Sequence, residues 1–215
     1  PTEAGLFARP TVISNVETLC NLPLIVSAGV ASFRGEGTEA YPGTKLISLS
    51  GAVRRPGLYE APLGITTRQI LDLGGGLQPG QALRAVVIGG PSGGFLPPDL
   101  LDLPLAGGLA HPTGAVLGSG GVVVLDERMP LTLALRELTA YNAAESCGKC
   151  TPCREGTARS LAILDAAGES GTLSADDRAT LLELCDLMQY ASLCGLGQMA
   201  PGPIRSALAL FDGAS

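Results

Sequence analysis

The sequence has no tryptophan, a single histidine, 4% aromatic residues and only 16% charged residues. Each shortage excludes a class of function. So few aromatics give no stacking platform for nucleobases. Lys and Arg number 14 against 20 Asp and Glu, the net charge is −6, and no basic block stands out. A phosphate-neutralising face is therefore missing, and with it nucleic-acid binding. No apolar run reaches the roughly 18 residues of a membrane span without Gly, Pro or charge. The stretch from Leu19 to Ser32 comes nearest, but it holds Asn21, Pro23 and Gly29 and reads as a core helix. No charged segment followed by an apolar one opens the chain, so no secretory signal is visible. A sequence starting at Pro1 is expected to be a mature or excised piece, or the tail of a longer polypeptide. No internal repeat and no Ser/His/Asp or paired-carboxylate arrangement stands out.

What is present is glycine (30), proline (16) and a hydrophobic fraction of 46% in 215 residues. That suits a loop-rich globular chain of one large or two small domains. Three stretches differ in character. Residues 1–40 form a mixed lead. Residues 41–128 read as short strands between Gly/Pro turns: Thr44 to Val53, Leu58 to Ala61, the β-branched run Arg84 to Ile88, and Gly121 to Leu125. One short helix is expected from Thr67 to Leu73, capped by Thr66 or Thr67 and stopped by Gly74-Gly75-Gly76. One helix among four or five strands suggests a small α+β roll of the β-grasp kind. Residues 129–215 turn helical. Helices are expected from Leu131 to near Tyr141, from Arg154 to Ala167, from the Ser174 cap to about Tyr190, and from just after Pro201-Gly202-Pro203 to Phe211-Asp212-Gly213. Four helices with short joints make a small bundle.

The six cysteines are Cys20, Cys147, Cys150, Cys153, Cys185 and Cys194. Three crowd into ESCGKCTPCREG, Glu145 to Gly156, as C-x2-C-x2-C. A disulfide framework would spread them, so a reducing compartment and a metal or cluster site are expected. Structural zinc usually adds a second Cys pair or a nearby His, and His111 sits far away in a loop-like A-H-P-T. Three close cysteines and a distant fourth fit a cubane iron–sulfur cluster better, though zinc or free thiols stay open on spacing alone. Two residues could supply the fourth thiolate. Cys185 is in phase with Leu181, Leu184 and Met188 and reads as packing, as does Cys20. Cys194 lies in S-L-C-G-L-G just past the third helix, where glycines let backbone approach a large inorganic body, and is preferred. Pro152 would open the helix carrying Arg154, and a helix N-terminus favours an anionic cluster. Lys149 and Arg154 add positive charge, and the Gly148 and Gly195 amides are expected donors to sulfur. The glycine runs are weaker signals. GEGTEA, Gly35 to Ala40, neither follows a clear strand nor opens a helix, and reads as loop. GGPSGG, Gly89 to Gly94, lacks the Lys-Ser/Thr of a phosphate loop and reads as a turn.

Five ordered stretches carry a resemblance: PTVISNVETLCNLP at 10–23, GGPSGG at 89–94, GSGGVVVLDE at 118–127, ESCGKCTPCREGT at 145–157 and SLCGLGQMAPGPIRSAL at 192–208. Together they resemble the C-terminal part of a family of NADH-oxidising flavoproteins, the one that supplies the F subunit of respiratory complex I. NAD-reducing hydrogenases and NAD-dependent formate dehydrogenases have subunits of the same family, and the SLCGLGQ stretch leans towards these. The resemblance implies a ubiquitin-like, soluble-ligand-binding β-grasp domain followed by a four-helix domain. That domain would hold one [4Fe–4S] cluster through Cys147, Cys150, Cys153 and Cys194. It implies a full subunit that oxidises NADH on FMN. By position, Ile13, Ser14, Asn15 and Thr18 would face the flavin; the family often has Asn where this chain has Ser14. The family's upstream FMN- and NADH-binding domain is not in this sequence, so these residues alone are expected to bind neither tightly. Leu103 to Ala115 departs from the family's more acidic version. Implied partners are that upstream domain, a thioredoxin-like [2Fe–2S] subunit and a further iron–sulfur subunit. The implied location is cytoplasmic, peripheral to the inner face of a membrane where the parent complex is bound to one. The competing expectation is a non-catalytic β-grasp binding module with a structural zinc bundle.

Overall fold

A computed structural model describes residues 1–105, 115–168 and 172–212. The lead carries two helices, α1 (Val16–Ala28) and α2 (Val30–Arg34), separated at Gly29, whose φ is +87°. Asn15 starts α1: its side-chain oxygen accepts the backbone N–H of Glu17 at 2.9 Å and of Thr18 at 3.4 Å. The stretch from Leu19 to Ser32 is therefore helical, but it is not the core helix expected. Neither α1 nor α2 buries a residue among those described, and Val26 is 84% exposed. Cys20, expected in packing, is exposed as well. Hydropathy reports that a segment wants to leave water, not which surface it leaves water for. The lead is tied to the rest by Glu17, which pairs with Lys45 and accepts the Leu46 N–H at 2.8 Å.

Five strands follow among the described residues: β1 (Thr44–Gly51), β2 (Gly57–Pro62), β3 (Leu83–Ile88), β4 (Gly94–Leu96) and β5 (Gly121–Asp126). Their order is β2-β1-β5-β3-β4. The β1–β5 pair is parallel, with Ser48 opposite Gly121, and the other pairs are antiparallel. Helix α3 (Thr67–Leu73) has the expected bounds. Thr66 caps it, with Gln69 returning the bond to the Thr66 N–H, and Gly74 ends it.

Strand periodicity explains the two cores. Val86 and Ile88 of β3, Val122 and Val124 of β5, and Leu96 of β4 point to one face, packing with Ile47, Leu49 and the α3 residues Ile70 and Leu71. Ala85, Val87, Phe95 and Leu125 point to the other face and join a second core built from helices. A strand buried on both sides must be apolar throughout, which is why β3 reads as an unbroken run.

The helical region contains α4 (Leu131–Ala144), α5 (Thr151–Ala167), α6 (Ala175–Ala191), α7 (Gly195–Met199) and α8 (Pro201–Asp212). α4 packs on α5, α5 on α6, α6 on α8 and α8 on α4, closing a ring. Leu135, Leu164, Leu181, Met188, Ile204 and Leu208 fill it. Ser174 caps α6 as expected, its hydroxyl accepting the Asp177 N–H at 3.1 Å and Asp177 accepting the Ser174 N–H at 3.1 Å. The turn GGPSGG fastens sheet to helices. Pro91 O accepts from the buried Asn142 side chain of α4 at 2.9 Å, and the Phe95 N–H donates to Ser206 of α8 at 2.9 Å. A Cβ on Gly202 would lie 2.6 Å from the Gly93 carbonyl oxygen, so α8 needs glycine there. His111 and most of Leu103 to Ala115 lie outside the described residues. No helix among the described residues is long and apolar enough to cross a membrane.

Candidate metal centre

Two helix starts meet at the cysteines. Cys150 is the N-cap of α5 and Cys194 the N-cap of α7, both extended in backbone and neither capping with its side chain. An uncapped start leaves several N–H groups free and a partial positive charge, which together suit anionic sulfur. Pro152 occupies the first turn of α5, where a missing N–H costs nothing. Helix α5 thus begins at Thr151, three residues before the expected start at Arg154. Helix α7 hides in a stretch whose glycines read as loop.

The two segments touch. Gly197 of α7 packs against Cys153 and Ser192: a Cβ there would lie 2.4 Å from Ser192 Oγ and 2.9 Å from Cys153 Cβ. The backbone N–H of Leu193, in the segment leading to Cys194, is the largest influence lowering the Cys150 pKa. The Cys153 N–H acts the same way, and partial desolvation opposes both. The four sulfurs grade from open to closed: Cys147 and Cys194 are exposed, Cys150 is half-buried and Cys153 is buried. Cys185 stands apart in the helical core. Burial pushes its thiol up to about 12, and the thiol lies 4.0 Å from the Pro201 carbonyl oxygen. A thiol so reluctant to ionise is a poor metal ligand.

Arg154 clamps the cysteine loop rather than only adding charge. Its Nη1 donates to the Gly148 carbonyl at 2.6 Å, and Gly148 holds a φ of +71°. The Gly148 amide does not make the expected bond to sulfur. It donates instead to Ser146 Oγ at 3.3 Å, and Ser146 Oγ lies 3.3 Å from Cys153 Sγ. Ser192 Oγ is buried and has no hydrogen-bond partner among the described residues. Neither serine stands out in the sequence. The only signal for either is a hydroxyl beside a cysteine, in E-S-C and S-L-C.

Among the described residues, no three His, Cys, Asp or Glu side chains close on a point as ligands of a single ion do. A cubane asks for a different arrangement, one thiolate at each of four corners. The donors fit such a body: four thiols on two segments in contact, two uncapped helix starts, a glycine that keeps the approach open and an orphan hydroxyl. The expected flavin contacts sit elsewhere, at the start of α1. Ile13, Ser14, Asn15 and Thr18 are all exposed there, Ile13 by 77%. The Asn15 side-chain oxygen is already engaged in capping.

Residues 133–214 match the family model for the NADH-ubiquinone oxidoreductase-F iron–sulfur binding region, and residues 46–96 match the SLBB domain. The chain thus carries these two family regions, and named relatives align along almost all of it. The F subunit of NADH-quinone oxidoreductase from Mycobacterium tuberculosis H37Rv is 43% identical over 211 residues, covering 98% of this chain and 47% of that protein. The HndC subunit of NADP-reducing hydrogenase from Solidesulfovibrio fructosivorans is 39% identical over 213 residues, covering 98% and 43%. The chain therefore spans about half the length of these relatives, which are subunits of oxidoreductases. A crystal structure of NAD+-reducing [NiFe]-hydrogenase in the air-oxidised state superposes with a TM-score of 0.85 at 35% identity, over 99% of this chain and 36% of that one.

Proposed function

We propose that this chain is the electron-transfer part of an NADH:acceptor oxidoreductase flavoprotein. In this reading Cys147, Cys150, Cys153 and Cys194 hold one [4Fe–4S] cluster, a one-electron carrier. The observation that carries the reading is the meeting of two helix starts that have cysteine at the N-cap position, with Gly197 of α7 packed on Cys153 of α5.

The division of labour is geometric. Helices α5 and α7 fix the thiolates, Arg154 fixes the loop between Cys147 and Cys150, and the helical core behind Cys153 keeps water from that side. The protein's role is position and potential rather than acid–base chemistry. Ile13, Ser14, Asn15 and Thr18 face FMN bound in an upstream domain that also takes NADH. Residues 41–128 are a β-grasp domain, for which the strand order is the support, and 129–215 a four-helix cluster domain. The partners are that upstream domain, a thioredoxin-like [2Fe–2S] subunit and a further iron–sulfur subunit. The complex faces the cytoplasm. A single zinc is disfavoured, because structural zinc usually adds a second Cys pair or a nearby His to such a motif, and His111 lies far away in sequence.

Ligand substitution tests the assignment. Cys194→Ala should abolish iron loading, while Cys185→Ala should load fully. Full loading without Cys194, or none without Cys185, would refute the ligand choice.

A further inference from the structure

We propose that the Ser146 and Ser192 hydroxyls set the reduction potential of the cluster, Ser146 through the Cys153 sulfur and Ser192 as a donor to a ligand sulfur of the same site. This rests on the electron-transfer reading above and deepens it. The two serines come from the two segments that supply the thiolates, one immediately before Cys147 and one just before Cys194. Both act through ligand sulfurs, so they are positioning residues.

Ser146 Oγ lies 3.3 Å from Cys153 Sγ and already accepts the Gly148 N–H. A ligating thiolate has no proton to give, so in the loaded protein the hydroxyl is the donor and the sulfur the acceptor. Ser192 is 6% exposed and its hydroxyl has no hydrogen-bond partner among the described residues. An orphan buried hydroxyl is costly unless a partner arrives. Its direction is fixed. The Ser192 N–H donates to Met188 O at 3.2 Å, its carbonyl accepts from Gln198 Nε2 at 3.0 Å, and Gly197 holds its Oγ against the cysteine site. A ligand sulfur of the loaded site is thus the acceptor it lacks.

The effect on potential has a definite sign. One-electron reduction adds negative charge to the cluster and its thiolates. An O–H dipole aimed at a ligand sulfur stabilises the reduced form more than the oxidised form, and burial strengthens it. Each hydroxyl therefore raises the potential.

The test is potentiometric titration of the anaerobically isolated holoprotein, followed by EPR, with iron and sulfide measured on each sample. Ser192→Ala should keep its cluster while its one-electron reduction equilibrium shifts about tenfold towards the oxidised form, ~59 mV more negative. Ser146→Ala should shift in the same direction, and the double variant further. Hyperfine spectra in deuterated water should show an exchangeable proton coupled to the reduced cluster that disappears in Ser192→Ala. The unfolding temperature of the cluster-free chain should not fall in Ser192→Ala, since that hydroxyl has no protein partner among the described residues; a merely structural serine would lower it. Unchanged potentials and couplings at full iron content would overturn the inference. Should Ser192→Ala fail to load, Ser146→Ala and the couplings of the unsubstituted protein decide in the same way. Absence of a cluster from the unsubstituted protein is a different failure, that of the site reading itself.

Discussion

At Gly197 the absence of one methyl group decides whether two segments can meet. An alanine there would place Cβ 2.6 Å from Ser192 Cβ as well as 2.4 Å from its Oγ, distances that real contacts do not show. Gly197→Ala should therefore destabilise the chain by about 1–3 kcal/mol through overpacking. Urea unfolding would measure it, and iron content should fall in the same variant. Cys185 gives the opposite case. Buried among Leu181, Leu184 and Met188, it behaves as a small hydrophobe, and Cys185→Ala should cost about 1 kcal/mol without touching the metal site. The cysteine triplet is legible because its spacing is local: three thiols at every third position declare themselves without a fold. Ser192 at the cysteine site is not legible, because the approach of α6's end to α5's start exists only once both helices are placed.

Local signals of capping and punctuation can be read where they are strong. Thr66 with Gln69, and Ser174 with Asp177, mark α3 and α6. Thr66→Ala should lower stability by about 1 kcal/mol, measured by chemical denaturation. Strand β4 escapes the sequence because its three residues are too few to show a period, and α7 because glycine suppresses the helical signal. The tie between α1 and β1 escapes it because it depends on one long-range carboxylate. Desolvation pushes the Glu17 carboxyl up, but the Lys45 ammonium and the Leu46 N–H outweigh it and hold it below its ordinary value. A depressed carboxylate pKa contributes stability above the unfolded value that is lost as pH falls through the folded one. The α1–β1 contact should thus persist at neutral pH and loosen only as pH falls below the ordinary glutamate range. The Leu46 amide shift in NMR should titrate with Glu17 across that range, and Glu17→Gln should abolish the titration.

The molecule has two kinds of support, and they should respond differently to loss of metal. The sheet packs on α3 through one face and on the helices through the other, with no cysteine in the first core. The starts of α5 and α7 carry uncapped amides and exposed or half-buried thiols. Removing the cluster by anaerobic chelation should therefore raise hydrogen exchange at residues 146–154 and 192–199 while β3 and β5 stay protected. Equal loss of protection in the sheet would mean that the cluster supports the whole fold. The central claim, that four cysteines from two segments hold a redox cluster, is tested most directly by metal and sulfide analysis of the anaerobically purified protein. The account predicts about four irons and four sulfides per chain, as a cubane requires, with an EPR signal appearing on reduction. One tightly held zinc per chain and no sulfide would contradict it.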